Sequence, residues 1–227
     1  MAGGTITIRD TISQDLLVAG GEITVNGYVA DDIRAAGGKL TIDSEVGDDV
    51  IVAGGEVYIT KNAIIQGNLI NFSGEVEMNG TVKGMVKSYS GDLVMNGSIG
   101  KEALLYGENI SINGEISGKS KIAAENIRIG ESAKFHDDVA YFSEDGETDF
   151  KNSLMGATAS FDETLIGDRE EFSWKGFGVM ALGFWVFYLF SAFLVLLLMN
   201  WAFNNFFSDA ASNLNKQLLK SLGYGAL

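Results

Sequence analysis

An apolar pattern that returns every seventeen residues constrains this chain more than anything else in it. Ala19-Gly-Gly-Glu-Ile-Thr-Val25, Ala36-Gly-Gly-Lys-Leu-Thr-Ile42 and Ala53-Gly-Gly-Glu-Val-Tyr-Ile59 are one unit repeated, and Ala2-Gly-Gly-Thr-Ile-Thr-Ile8 stands one period earlier. After one step of nineteen the unit resumes at Phe72, Tyr89, Tyr106 and Ala123, again seventeen apart. A fixed period of this length marks a stacked repeat fold, in which each unit buries its apolar side only against its neighbours.

The columns of the repeat show how it stacks. Four residues after each start stand Ile6, Ile23, Leu40, Val57, Val76, Leu93, Ile110 and Ile127, and two further on Ile8, Val25, Ile42, Ile59, Met78, Met95, Ile112 and Ile129. The residues between them are mostly polar, which is the alternation of a strand with one side turned inward. A third apolar column runs Ile12, Val29, Val46, Val82, Ile99 and Ile116, and a fourth Leu16, Ile33, Val50, Leu69 and Val86. No stripe of helical period runs through these segments. The expectation is an all-β, single-stranded β-helix of eight rungs over residues 2–130, with three short faces per turn. At a stacking distance of about 4.8 Å it forms a rod roughly 40 Å long.

Corners fall where the sequence turns polar. Asn26, Asn79, Asn96 and Asn113 are each followed by Gly, a pairing suited to left-handed backbone at a sharp corner. The Gly-Gly pairs at 20–21, 37–38 and 54–55 mark a second corner where crowding leaves no room for a Cβ. They recur with no following helix and no P-loop lysine, so they are not a phosphate loop. The complete lack of Pro suits a fold that uses nearly every backbone N–H in a ladder.

The repeated Ala-Gly-Gly-x-Val/Ile-x-Ile-x-Gly unit, as in Ala19–Gly27, resembles the bactofilin-like, polymer-forming cytoskeletal proteins over about residues 2–130. The resemblance implies a right-handed β-helix that associates end to end into filaments or sheets without nucleotide. Bactofilins are mostly soluble and cytoplasmic with short tails, whereas this chain runs into a long apolar stretch. It is closer to membrane-anchored relatives, in which a solenoid outside the cytoplasmic membrane precedes several spanning helices.

That stretch is Gly176 to Ser208, 33 residues without a charge, and Trp174 and Trp201 lie near the two ends of its apolar centre, Phe177–Met199. About 20 apolar residues suffice to cross a bilayer core, and aromatic residues favour its boundaries. A transmembrane helix is expected over 172–208, and an amphipathic juxtamembrane helix over 209–227, with Ala211, Leu214, Leu218 and Leu222 on one face. Basic residues are balanced on the two sides of the span, Arg169 and Lys175 before it and Lys216 and Lys220 after it, so they do not orient it. No signal peptide is visible, which is expected of a processed leader, and the last residues read as the start of further spans. Residues 131–171 break the period and are expected to form an acidic cap and connector, with Phe135, Tyr141, Phe142 and Phe150 folding over the last rung.

The net charge of −14 argues against a nucleic-acid partner, since no basic patch offsets it. The chain has no Cys, so disulfide and thiolate chemistry is excluded. His136 is the only histidine, and no nucleophile–base arrangement can be assembled around it. The six-residue repeat and catalytic His of left-handed β-helix acyltransferases are missing. No catalytic residue, cofactor or resident metal is expected.

Three sets of residues stand out. Asp15, Asp32 and Asp49 fall in one column, with Asn68 next in it and Asp31 and Asp48 alongside. Such a stack is either a weak candidate for a calcium ladder with oxygen ligands or a run of turn aspartates bonding their own backbone. Phe72, Tyr89 and Tyr106 stack where other rungs carry Ala, either as a candidate ligand face or as a ladder that stabilises adjacent rungs. Ile6 and Ile8 lie on the first rung, which has no cap comparable to residues 131–171, and they are the candidate self-association residues. The function expected is a non-enzymatic, membrane-anchored scaffold that self-associates through its solenoid ends at the envelope of a bacterial cell. The alternatives are an envelope binding module for a cell-wall glycan or partner protein, and an accessory subunit of a membrane complex.

Overall fold

The computed structural model describes residues 1–165. The transmembrane and amphipathic helices expected over 172–208 and 209–227 lie outside the described residues, as does the end of the connector. Among the described residues no helix is long and apolar enough to cross a membrane.

The chain coils into a parallel β-solenoid. Its long strands, Ala2–Ile8, Leu16–Val25, Ile33–Ile42, Val50–Ile59, Leu69–Met78 and Val86–Met95, stack side by side and bend at the Gly-Gly or Ser-Gly step. Further along the rod each long strand divides in two, as Ala103–Tyr106 with Asn109–Ile112 and Ser120–Ala124 with Asn126–Ile129. The third face is a narrow second sheet that runs from Glu45–Val46 to Lys134–Phe135. The inward columns read from the sequence meet in register, as in Ile23↔Leu40↔Val57↔Val76↔Leu93. Nearly all of these residues are fully buried in one continuous core.

The coil is longer than the eight rungs expected, with about nine turns. It continues past residue 130 through Lys134–Phe135, Val139–Ser143 and Ala159–Phe161. The reason is a two-residue insertion used twice at the same corner. After Ile59, Lys61 and Asn62 form a turn closed by Ala63 N–H donating to Thr60 O at 3.0 Å, and Val46 then pairs with Ile65. After Ile129, Glu131 and Ser132 do the same, with Ala133 N–H donating to Gly130 O at 3.2 Å, and Ile116 pairs with Phe135. A small buried Ala fills the inner side of both turns. Phe135 and Tyr141 are therefore core positions of the ninth rung, and Phe142 lies in the outward aromatic column. Phe150 closes the core over Phe135 and Tyr141, with ring centroids at 5.5 and 5.0 Å.

The corners also differ from expectation. Among the described residues positive φ occurs only at Gly146, Gly156 and Lys151, so none of the Asn-Gly corners is left-handed. Glycine is needed there for space: a Cβ on Gly80 would lie 2.6 Å from the Ala63 carbonyl oxygen of the preceding rung. The asparagines instead bind one another up the rod. The Asn96 Nδ2 donates to Asn79 Oδ1 and the Asn113 Nδ2 to Asn96 Oδ1, each at 2.8 Å, so each amide oxygen in the ladder gains one donor from the rung above.

One polar pair interrupts the core. Asn71 and Ser88 occupy the inward column that holds Val52 below and Leu105 above, and Asn71 Nδ2 donates to Ser88 Oγ at 2.9 Å. Both residues are fully buried. Ser88→Val removes one partner and is expected to destabilise the rod by about 1–3 kcal/mol, because the Asn71 amide loses an acceptor. The double change Asn71→Val with Ser88→Val is expected to recover most of that loss. Urea denaturation followed by circular dichroism reads both, and a double variant weaker than the single one contradicts the assignment.

Candidate functional site

At the first rung, Ala2–Ile8 is paired, among the described residues, on one side only, with Leu16–Val25. Residues 1–8 carry no charged side chain. An unpaired edge strand without charge or Pro is a template for another strand. Ile8 is buried against the second rung, and Ile6 is half-buried at the mouth of the core. At the other end the last described strand shrinks to Ala159–Phe161, Phe150 plugs the core, and Glu144, Asp145, Glu147 and Asp149 fall in the segment that leads from Val139–Ser143 to Phe150. The two ends are chemically unlike: one is an open apolar edge, the other a short edge among carboxylates.

The aspartate column forms as read, with protein donors supplying the compensation. Arg34 reaches Asp15 Oδ2 at 2.8 Å and Asp32 Oδ2 at 2.6 Å. Asp32 Oδ1 accepts from the backbone N–H of Asp49 at 3.1 Å, and Asp49 Oδ1 accepts from that of Asn68 at 2.7 Å. Asp32 and Asp49 thus bond the backbone of the next rung rather than their own, and Asp15 is held by Arg34. Carboxylate oxygens of Asp15, Asp31 and Asp32 approach within 4.8 Å of one another. The Arg34 guanidinium supplies between two of them the positive charge that a calcium ladder would take from an ion. Asp48, outside this clamp, is held above the ordinary carboxylate range, first by the charge of Asp49 and then by burial and by Asp32 and Asp31.

The aromatic column is a continuous outer ladder. Phe72 and Tyr89 stack with centroids 5.4 Å apart and planes within 3°, and Tyr89 and Tyr106 with centroids 5.1 Å apart. Tyr106 is only 5% exposed, because Leu165 packs against it and Ala123. His136 pairs with Glu115 at 2.8 Å on the narrow sheet.

Two residues that sequence reasoning missed tie down the last turns. Asp138 accepts from the Thr158 hydroxyl at 2.8 Å and its N–H at 3.0 Å, and Asp162 accepts likewise from Thr164. These bonds hold both carboxyls below the ordinary range. A depressed pKa contributes stability that is present above the unfolded-state value and is lost as pH falls through the folded value. Asp48, raised instead, is relieved by protonation. Acid is therefore expected to loosen the last rung selectively. Hydrogen-exchange protection at Ala159–Phe161 should fall between pH 6 and pH 3 while that at Leu40–Ile42 holds, and equal loss at both sites contradicts this.

The described residues form a parallel β-solenoid with continuous inner ladders, in which each rung stacks on the next and the two ends are unlike. Residues 57–148 match the family model of bactofilin, described as polymer-forming cytoskeletal. The resemblance to that family is borne out over residues 57–148, the rungs that follow the Ala-Gly-Gly units. Neither a curated protein nor a solved structure matches the chain. Fold and family match together support a polymer-forming cytoskeletal scaffold.

Proposed function

We propose that this chain is a non-enzymatic, membrane-anchored β-solenoid scaffold that self-associates end to end at the bacterial cell envelope. The observation that carries this reading is the open, uncharged edge Ala2–Ile8 on a rod whose sequence matches a polymer-forming family. Because the opposite end is narrowed and acidic, the first contact joins two copies at their first rungs. A two-fold axis across the rod reverses the sense in which the chain circulates, so the two edge strands meet antiparallel. The uncharged stretch 176–208 supports the anchor, and the resemblance to anchored relatives supports a solenoid outside the cytoplasm.

The binding-module reading draws on the aromatic ladder and has less support, since Tyr106 is buried under Leu165. Protease treatment of intact and of opened cells, with carbonate washing of the membranes, tests the anchored reading. A chain retained after washing and cleaved from outside agrees with it. A chain released by carbonate contradicts the anchor, and cleavage only in opened cells contradicts the orientation.

A further inference from the structure

One corner of the rod is sorted by charge along its length. It follows a backbone ladder that runs from Leu16 N–H on Asp32 O, rung by rung, to Ala103 N–H on Lys119 O. On the first three rungs this corner carries Asp15, Asp31, Asp32, Asp48 and Asp49 against Arg34 alone. On the fourth rung it is uncharged, with Gln66, Gly67, Asn68 and Ile70. On the fifth to seventh rungs it carries Lys83, Lys87, Lys101, Lys119 and Lys121 against Glu102 alone. An acidic patch and a basic patch of matching size thus stand on either side of a neutral rung.

The two patches do not cancel within one rod. Their centres lie four rungs apart, about 19 Å, more than twice the roughly 8 Å over which physiological salt screens a charge. Arg34 reaches two of the five aspartates, and the raised pKa of Asp48, owed first to Asp49, shows the others repelling one another. Lys83 and Lys101 are exposed and have no carboxylate within salt-bridge distance among the described residues. Lys119 and Lys121 lie near Asp138 and Asp162 of later turns.

A surface that carries both signs in opposite order about a neutral middle is complementary to itself after a half-turn. We propose that two copies of this chain pair side by side along this corner, antiparallel, about a two-fold axis at the rung of residues 66–68. The third rung of each rod then faces the fifth of the other, and the first faces the seventh. Asp137 and Asp138, where the corner turns acidic again on the eighth rung, fall beyond the neighbour's first rung. A cation or a polyanion would satisfy one patch only, whereas a second copy satisfies both. The contact consists of exposed ion pairs, which are individually weak and screened by salt. It therefore joins rods that are crowded together and does not hold two dilute rods. A single two-fold contact closes at a pair, but two different ones on the same chain build an open array. The corner supplies that second contact, and it depends on neither the first-rung contact nor the anchor.

The chain has no Cys, so introduced cysteines report position cleanly. Columns face their own copies across such an axis, which sets Ser13 of the first rung against Ser117 of the seventh. Full chains carrying Ser13→Cys, Ser117→Cys or Ser111→Cys are purified in non-ionic detergent, mixed in pairs and treated with a short bismaleimide. Ser111 shares a rung with Ser117 but lies on another face. In about 20 mM salt, links between positions 13 and 117 should exceed those between 13 and 111 by at least about fivefold, and about 500 mM salt should remove the excess. Equal or absent linking at 117 and 111 overturns the pairing, as does an excess that salt leaves unchanged. An excess of links from 117 to 117 shows rods side by side in one direction and overturns it too. Sedimentation of the same chains reads the first-rung contact separately, so either contact can fail while the other stands.

Discussion

Gly97→Ala should destabilise the solenoid by about 3 kcal/mol, the upper range for forcing a methyl group into a packed interior. Gly97 stands directly on Gly80, and its missing Cβ is where the Gly80 carbonyl oxygen lies. Gly114 stands on Gly97 in the same way. The neighbour is backbone held by ladder bonds, so it cannot swing aside as a side chain would. Gly97 N–H donates to Met78 O at 2.9 Å, and a shift that admits the methyl lengthens this bond and its equivalents one rung away. Gly4→Ala is the control, because nothing lies within 4 Å of a Cβ there. Thermal unfolding of both variants reads the difference, and equal midpoints contradict the close-approach account.

Ile6→Asp with Ile8→Asp should abolish self-association while leaving the rod folded. Only the first strand is affected, since among the described residues Ala2–Ile8 pairs with Leu16–Val25 and with no other strand. Two carboxylates on that strand must be desolvated if a second edge is to close over them, which costs several kcal/mol per buried charge. Sedimentation velocity should show the wild-type protein shifting to larger species with concentration and the variant staying monomeric. Unchanged assembly would count against the first rung as the contact.

The solenoid was legible in the sequence because its core repeats: Ile23, Leu40 and Val57 stand seventeen apart, and each lies on the next in the structure. Its length was less legible. The insertion at residues 61–62 left the period intact afterwards, so the step of nineteen was visible, whereas the insertion at 131–132 is followed by pairings offset by nineteen and twenty. Aromatic residues at Phe135 and Tyr141 replace the usual aliphatic ones there, and the segment read as a cap although both are core positions. The aspartate column was visible, but its partner was not. Arg34 lies two residues from Asp32 in sequence and one rung above Asp15, and only the coil brings it between them. The Asn-Gly corners show a further limit, since the residue types were right and the reason was space rather than backbone sign. The contact of Leu165 with Tyr106 left no signal at all, because it depends on the chain doubling back along the outside of the rod.

Electron microscopy of residues 1–171 produced alone, over a range of concentrations and without nucleotide, tests the scaffold reading most directly. A single rod of about nine rungs is roughly 43 Å long at the stacking distance of parallel strands. Rods joined at their first rungs are expected, in units of roughly 85 Å that persist in chelator. Single rods at every concentration would contradict it.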